Sequence, residues 1–267
     1  ATFAISQATS SVTVTCPVGT QPFTGSAQTP CTAEVTGIGM TPVDVTASIV
    51  YSNDTNVGAA TADVSWPGDI NHTGNTGSGG FVIGQASSTV IVSCPVSVAY
   101  NGAALTPCTA EATGAGMTPV DVTASLVYSN NTNVGTATAD ASWAGDASHT
   151  GNIGTDTFDI TPAAQTITVT TNAPATASNG SMFNVAATAS SGEIVSITAL
   201  GACTVVDNGN GTADITMTSG TGTCSVFYDQ AGNANYSAAS QIQQDVTATE
   251  GPVFTSADNT SFDMGFP

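Results

Sequence analysis

The chain is 267 residues long, enough for two to four small domains, and it sets 19 Asp and Glu against no Lys or Arg, a formal charge of −19. With nothing to neutralise phosphates, nucleic acid is excluded as a partner and anionic membrane surfaces are disfavoured. The same absence predicts no surface ion pairs and no Lys-dependent isopeptide cross-links. Leu, Ile, Val and Phe supply about 19% of residues, near the border of disorder. Yet only 7% of residues are charged, and the apolar ones alternate with polar ones. Three Leu stand against many Val, Thr and Ile, a composition that suits strands over helices.

Ala1-Thr2-Phe3-Ala4-Ile5 reads as the closing strand of a preceding module, because it matches Phe81-Val82-Ile83 and Phe158-Asp159-Ile160 further on. Val12, Val14 and Cys16 then alternate with polar residues. So do Val43, Val45, Ala47, Ile49 and Tyr51, and so do Ala62, Val64 and Trp66. This period of two predicts strands with one buried face. Turn signals separate them at residues 17–25, 37–42, 52–58 and 67–80, the last leading through a Gly-rich turn into Phe81-Val82-Ile83. No run of 18 apolar residues occurs, so no membrane insertion is expected in this segment. No signal peptide is visible, which suggests mature sequence or an excised piece.

Cys31–Asn75 recurs as Cys108–Asn152 with 36 of 45 positions identical. The frame predicts modules at residues 6–83 and 84–160, and a divergent module at 161–249. Residues 1–5 and 250–267 then belong to incomplete neighbours. In the divergent module, strands are predicted at residues 166–170, 182–189, 193–200, 203–206, 212–218 and 223–228. The cysteines fall into three local pairs, Cys16 with Cys31, Cys94 with Cys108 and Cys203 with Cys224. One disulfide per module follows, in an oxidising compartment. Each would contribute about 3 kcal/mol in the chain-entropy model. The third is expected to link neighbouring strands late in its module.

Cys-Pro-Val near the first strand, GxGMTPVDVTAS in the middle and AxxSWxGDxxHTGN near the end resemble the Ig-like tandem repeats of large bacterial and archaeal surface proteins, the MBG-type modules among them. The third module resembles another such repeat through Gln165-Thr166-Ile167-Thr168, Ser219–Cys224 and Gln230–Tyr236. The resemblance implies an all-β fold of tandem Ig-like antiparallel β-sandwich modules in an elongated array, at the cell surface.

Asp69 with His72, and Asp146 with His149, would mix calcium-type and zinc-type ligands, so a turn capped by Asp is the better reading and no metal site is expected. Glu34, Glu111, Asp44 and Asp121 repeat faithfully. Structural calcium at module junctions is the one cofactor they would allow; otherwise none is expected. Trp66, Trp143, Tyr51 and Tyr128 could stack on a ligand, a host or surface glycan. Phe3, Ile5, Val253 and Phe254 could serve as assembly strands, being unpaired edges if left alone. No nucleophile motif, phosphate loop or metalloprotease motif occurs, so no enzyme is expected. The role expected is a structural stalk or filament segment of an extracellular protein, its partners being neighbouring modules of the same or identical chains. The alternatives are a carbohydrate-binding adhesin and a filament subunit joined by strand complementation.

Overall fold

A computed structural model describes residues 2–251. The chain divides into two compact units. The first runs to Ser97 and adds Ala104–Asn131 and Thr136–Asp159; the second comprises Val98–Ala103, Thr132–Gly135 and the chain from Ile160 onward.

The first unit begins with β1 (Ser10–Thr15), β2 (Thr20–Pro22), β3 (Thr32–Gly37), β4 (Val43–Asp44), β5 (Val50–Ser52), β6 (Gly58–Gly68) and β7 (Thr73–Gly84). They form two sheets, ordered β1-β3-β4 and β2-β7-β6-β5. Phe23, Cys31, Ala60, Ala62, Phe81 and Ile83 are buried between them, with Val14 and Tyr51 packed alongside. The second copy repeats this with β8 (Ser88–Ser93), β9 (Ser97–Ala99), β10 (Thr109–Gly114), β11 (Val120–Asp121), β12 (Val127–Ser129), β13 (Gly135–Gly145) and β14 (Thr150–Thr161). Its sheets are ordered β11-β10-β8 and β12-β13-β14-β9. In the first copy pairing is antiparallel except at the short edge strand β2, which runs parallel to β7.

The second unit contains β15 (Ile167–Thr171), β16 (Thr176–Ser178), β17 (Met182–Ala189), β18 (Ser196–Gly201), β19 (Cys203–Asp207), β20 (Thr212–Met217), β21 (Thr223–Asp229) and β22 (Ile242–Thr249). Sheets β15-β17-β20-β19 and β16-β22-β21-β18 enclose Ile167, Val185, Ile197, Ile215, Val226, Tyr228 and Val246. The chain is therefore all-β, built of Ig-like sandwiches. No helix among the described residues is long and apolar enough to cross a membrane.

Three sequence expectations need correction. Val43–Tyr51 is not one strand. It breaks at a 3-10 turn, Thr46–Ser48, because β4 pairs with β3 in one sheet and β5 with β6 in the other. Asp44 Oδ1 accepts the Thr46 N–H at 2.8 Å, and Thr46 Oγ1 accepts the Ala33 N–H at 2.9 Å, which pins the crossing. The Gly-rich stretch before Phe81 is strand, not turn: β7 needs glycines where it passes β1. A Cβ on Gly77 would lie 2.8 Å from Val12 Cγ1 and 2.9 Å from the Val12 oxygen; one on Gly79 would lie 3.0 Å from Cys16 Sγ. The third disulfide joins β19 to β21, which belong to facing sheets and are not neighbours. The contacts of ion-pair geometry are those of the buried His72 with Asp69 and His149 with Asp146.

All three cysteine pairs are bonded. Thr2–Gln7 carry no strand, and Phe3 and Ile5 are 85% and 86% exposed. Val253 and Phe254 lie outside the described residues.

Candidate functional site at the module junctions

Each sandwich has a short hairpin turn that grips the incoming linker. In the first, Gly68 at φ +91° lets β6 turn back; a Cβ there would sit 2.6 Å from the His72 oxygen. Asp69 Oδ1 then accepts the N–H groups of Asn71 and His72, both at 2.7 Å. This is the capped turn that Asp favours. The exposed backbone beyond it holds the linker. The Ala8 N–H bonds the Asn71 oxygen at 2.8 Å, and the Thr73 N–H bonds the Ala8 oxygen at 2.9 Å. Gln7 Nε2 bonds the Asp69 oxygen at 2.8 Å, and Asn75 Nδ2 bonds the Ser10 oxygen at 2.7 Å.

The second sandwich repeats every contact. Ala86 pairs with Ser148 and Thr150, Gln85 with the Asp146 oxygen, and Asn152 with the Ser88 oxygen. The second unit uses the same geometry with different chemistry. Asn233 Oδ1 accepts from Asn235 and Tyr236 at 2.8 and 3.0 Å, and Ala163 takes the linker position between Asn235 and Ser237. Gly68-Asp69-Ile70-Asn71-His72, Gly145-Asp146-Ala147-Ser148-His149 and Gly232-Asn233-Ala234-Asn235-Tyr236 are thus one motif in three versions.

The histidines are buried, His72 at 6% and His149 at 3% exposure. Their ring nitrogens face acceptors only. His149 Nδ1 lies 2.9 Å from Asp146 Oδ1 and Nε2 2.9 Å from the Ala115 carbonyl oxygen. His72 meets Asp69 at 3.0 Å and the Ile38 carbonyl at 3.1 Å. A carboxylate and a carbonyl cannot donate, so this arrangement favours a proton on both nitrogens, the imidazolium form. The pKa values move accordingly. The Ile38 carbonyl, then Asp69, raises that of His72. The Ala115 carbonyl raises that of His149 against burial, with Asp146 assisting. Burial resists ionisation of Asp69, but the Asn71 N–H and His72 overcome it and lower its pKa. The Ser148 N–H leads the lowering at Asp146. Both ring nitrogens of each histidine are engaged by these acceptors, and among the described residues no three His, Cys, Asp or Glu side chains converge.

The first sandwich packs onto the second at this clasp. The Phe23 ring stands edge-on to His149, centroids 5.4 Å apart. Gly25 and Gly116, at φ +78° and +68°, bring their backbones together; a Cβ on Gly25 would fall 2.6 Å from Gly116 Cα. The Phe23 N–H also bonds the Gly84 oxygen at 2.9 Å, tying the loop to the strand that feeds the linker.

The candidate stacking residues are placed as follows. Trp143 is half-buried, its ring 6.2 Å from His149; Trp66 is half-buried opposite Asn75 on β7. The Tyr51 hydroxyl accepts the Cys31 N–H at 3.1 Å while its ring packs edge-on to Phe81. Tyr128 does the same with Cys108 and Phe158. Glu34 lies directly across from Asp44, and Glu111 from Asp121, within the three-stranded sheets. The clasp's role at the junction, and the parts played by Phe23, Gly25, Gly116 and Asn233, were not read from the sequence. The recurrence of Gly-Asp/Asn-x-x-His/Tyr was the signal that could have found them.

No protein-family model and no curated protein matches the chain. Among solved structures it is similar to a mutated three-Ig-domain structure of titin, at 9% identity over 92% of this chain and 94% of that one, with a TM-score of 0.33. It is also similar to three N-terminal domains of the highly immunogenic outer capsid protein of bacteriophage RB49, at 12% identity, 92% and 99% coverage and a TM-score of 0.24. Zebrafish RET cadherin-like domains 1 to 4 match at 9% identity, 90% and 66% coverage and a TM-score of 0.22.

Proposed function

We propose that this chain is a structural spacer, a stalk or filament segment of an extracellular surface protein. The observation that carries this reading is the pinned linker. Ala86 is hydrogen-bonded on both sides to the turn that holds His149, while Phe23 of the preceding sandwich packs on His149 and Gly25 meets Gly116, next to the Ala115 carbonyl that holds the ring. Such a junction resists bending at the point where a chain of domains would otherwise flex. Three disulfides support an oxidising, extracellular setting. The Thr- and Asn-rich acidic surface resists nonspecific aggregation, since all copies carry the same sign of charge. Neighbouring modules of the same kind are then the natural partners.

Backbone NMR relaxation tests this reading. Gln85 and Ala86 are expected to be as ordered as the flanking strands, and His149→Ala is expected to loosen them. Linker order parameters below about 0.6, the range of a flexible tether, would overturn the proposal.

A further inference from the structure

In the second sandwich the linker face is covered by Phe23 and Gly25. Within the second unit the aromatic contact recurs, with Tyr100 edge-on to Tyr236 at 5.4 Å. Tyr100 corresponds to Phe23: its N–H bonds the Thr161 oxygen at 2.9 Å, as that of Phe23 bonds Gly84. On the first sandwich nothing among the described residues covers the face. Ile38 and Ile70 are 85% and 89% exposed, and with Ile5, Gln7, Gly39 and His72 they line an open groove of about 560 Å³. Gly39 corresponds to Gly116. Among the described residues a Cβ on Gly39 would meet nothing within 4 Å, whereas one on Gly116 would fall 2.5 Å from Gly25 Cα.

Side-chain size follows occupancy. The residue after the capping Asp or Asn is Ala147 where Phe23 docks and Ala234 where Tyr100 docks, but Ile70 on the open face. Ala115 likewise gives way to Ile38. The open face is thus bulky and apolar, and fits an end that carries a small residue at the Phe23 position. The third sandwich has such an end. Its residue there is the exposed Asn179, whose N–H bonds the Thr249 oxygen at 2.9 Å. Gly180 follows at φ +80°, and among the described residues nothing lies within 4 Å of where its Cβ would be.

We propose that the Ile38–Ile70 face of the first sandwich docks the Asn179–Gly180 end of the third sandwich in a second copy of this chain. Such a contact is heterologous and adds copies head to tail. It rests on the spacer reading above. Since each copy carries a formal charge of −19, association needs salt to screen the approach.

Sedimentation velocity on the unglycosylated full chain, at physiological salt and up to about 1 mM, tests it. That concentration is on the order of what a short covalent linker supplies. The sedimentation coefficient is expected to rise with concentration. Ile70→Asp, on an exposed side chain, should weaken association about tenfold or more by burying an unpaired charge. Asn179→Phe should weaken it by clash, and combining it with Ile38→Ala and Ile70→Ala should restore it. A monomer at every concentration would overturn the proposal. So would association that Ile70→Asp and Asn179→Phe both leave unchanged. Linker relaxation within one copy is independent of these outcomes, so failure here is distinguishable from failure of the spacer reading.

Discussion

The Phe23 ring meets the His149 ring edge to face, at 87° and 5.4 Å, although the two residues belong to different sandwiches. The same imidazole is fixed by Asp146 on one nitrogen and the Ala115 carbonyl on the other. Packing between sandwiches and the protonation of one buried ring are therefore a single device. It uses the only side-chain type that can carry positive charge in a chain without Lys or Arg.

The first unit should accordingly lose stability as the solution turns alkaline. The pKa values of His72 and His149 are raised above 6.5 in the folded chain. The folded state then binds those protons more tightly than the unfolded state. Their stabilisation is fully present below about pH 6.5 and is lost as pH rises through the raised values. Asp69 and Asp146 are lowered below 3.8, so their contribution is present above that value and is lost as pH falls through the depressed ones. Both halves of the clasp are charged in the mildly acidic range between. Both Trp residues lie in the first unit, so intrinsic fluorescence reports on it selectively. Urea midpoints should fall between pH 6 and pH 9; a flat or rising trend would show that the rings are not held as imidazolium.

Asp146→Asn separates the turn from the charge. The third clasp shows that an amide can cap this turn, since Asn233 accepts the same two backbone N–H groups. The fold is therefore expected to survive. The His149 pKa should drop toward 6.5 while that of His72 stays raised. Imidazole titration followed by NMR reads both rings in one sample.

Phe23→Ala should destabilise the first unit by about 3–5 kcal/mol, the usual range for a buried Phe. Part of that loss belongs to the sandwich core in which Phe23 is buried. The junction's share is isolated by a double-mutant cycle with His149→Gln, where a coupling of roughly 1 kcal/mol is expected. Urea unfolding at pH 6 measures it, and additive losses would mean the edge-to-face contact contributes nothing.

Much of this fold was legible from alternation, because strands such as β6 bury Ala60, Ala62 and Val64 on one face only. Alternation failed where the chain changes sheet, at Thr46, since period two carries no information about which sheet a residue joins. It failed again at Gly77 and Gly79, where glycine marks the close approach of a facing strand and not a turn. The clasp was half legible. The Asp69 and Asp146 turns and the recurring His were visible, but their function depends on Ile38 and Ala115 carbonyls 34 residues away, and a carbonyl has no sequence signature. The third version escaped because Asn and Tyr replace Asp and His while keeping the hydrogen bonds.

Removing the first disulfide by Cys16→Ser with Cys31→Ser should cost about 3 kcal/mol, the chain-entropy value for a 15-residue loop. The Cys31 backbone would still be anchored by the Tyr51 hydroxyl, so the strand pairing of Thr15 with Thr32 should persist. Thermal unfolding should shift downward while amide exchange in β3 stays slow under native conditions.

Gly77→Ala tests whether the glycines of β7 serve close approach. The added methyl would lie 2.8 Å from Val12 Cγ1, which can rotate, but also 2.9 Å from the Val12 oxygen, which cannot move without shifting β1. Val12 is paired with Val35, a fully buried residue, so the strain passes into the sheet. Overpacking of this kind costs about 1–3 kcal/mol. Gly80→Ala is the control, because its methyl would meet only the Ala60 oxygen at 3.1 Å. If the glycines were there for flexibility alone, the two substitutions would cost alike. If they make room for β1, Gly77→Ala should lower the urea midpoint well below that of Gly80→Ala.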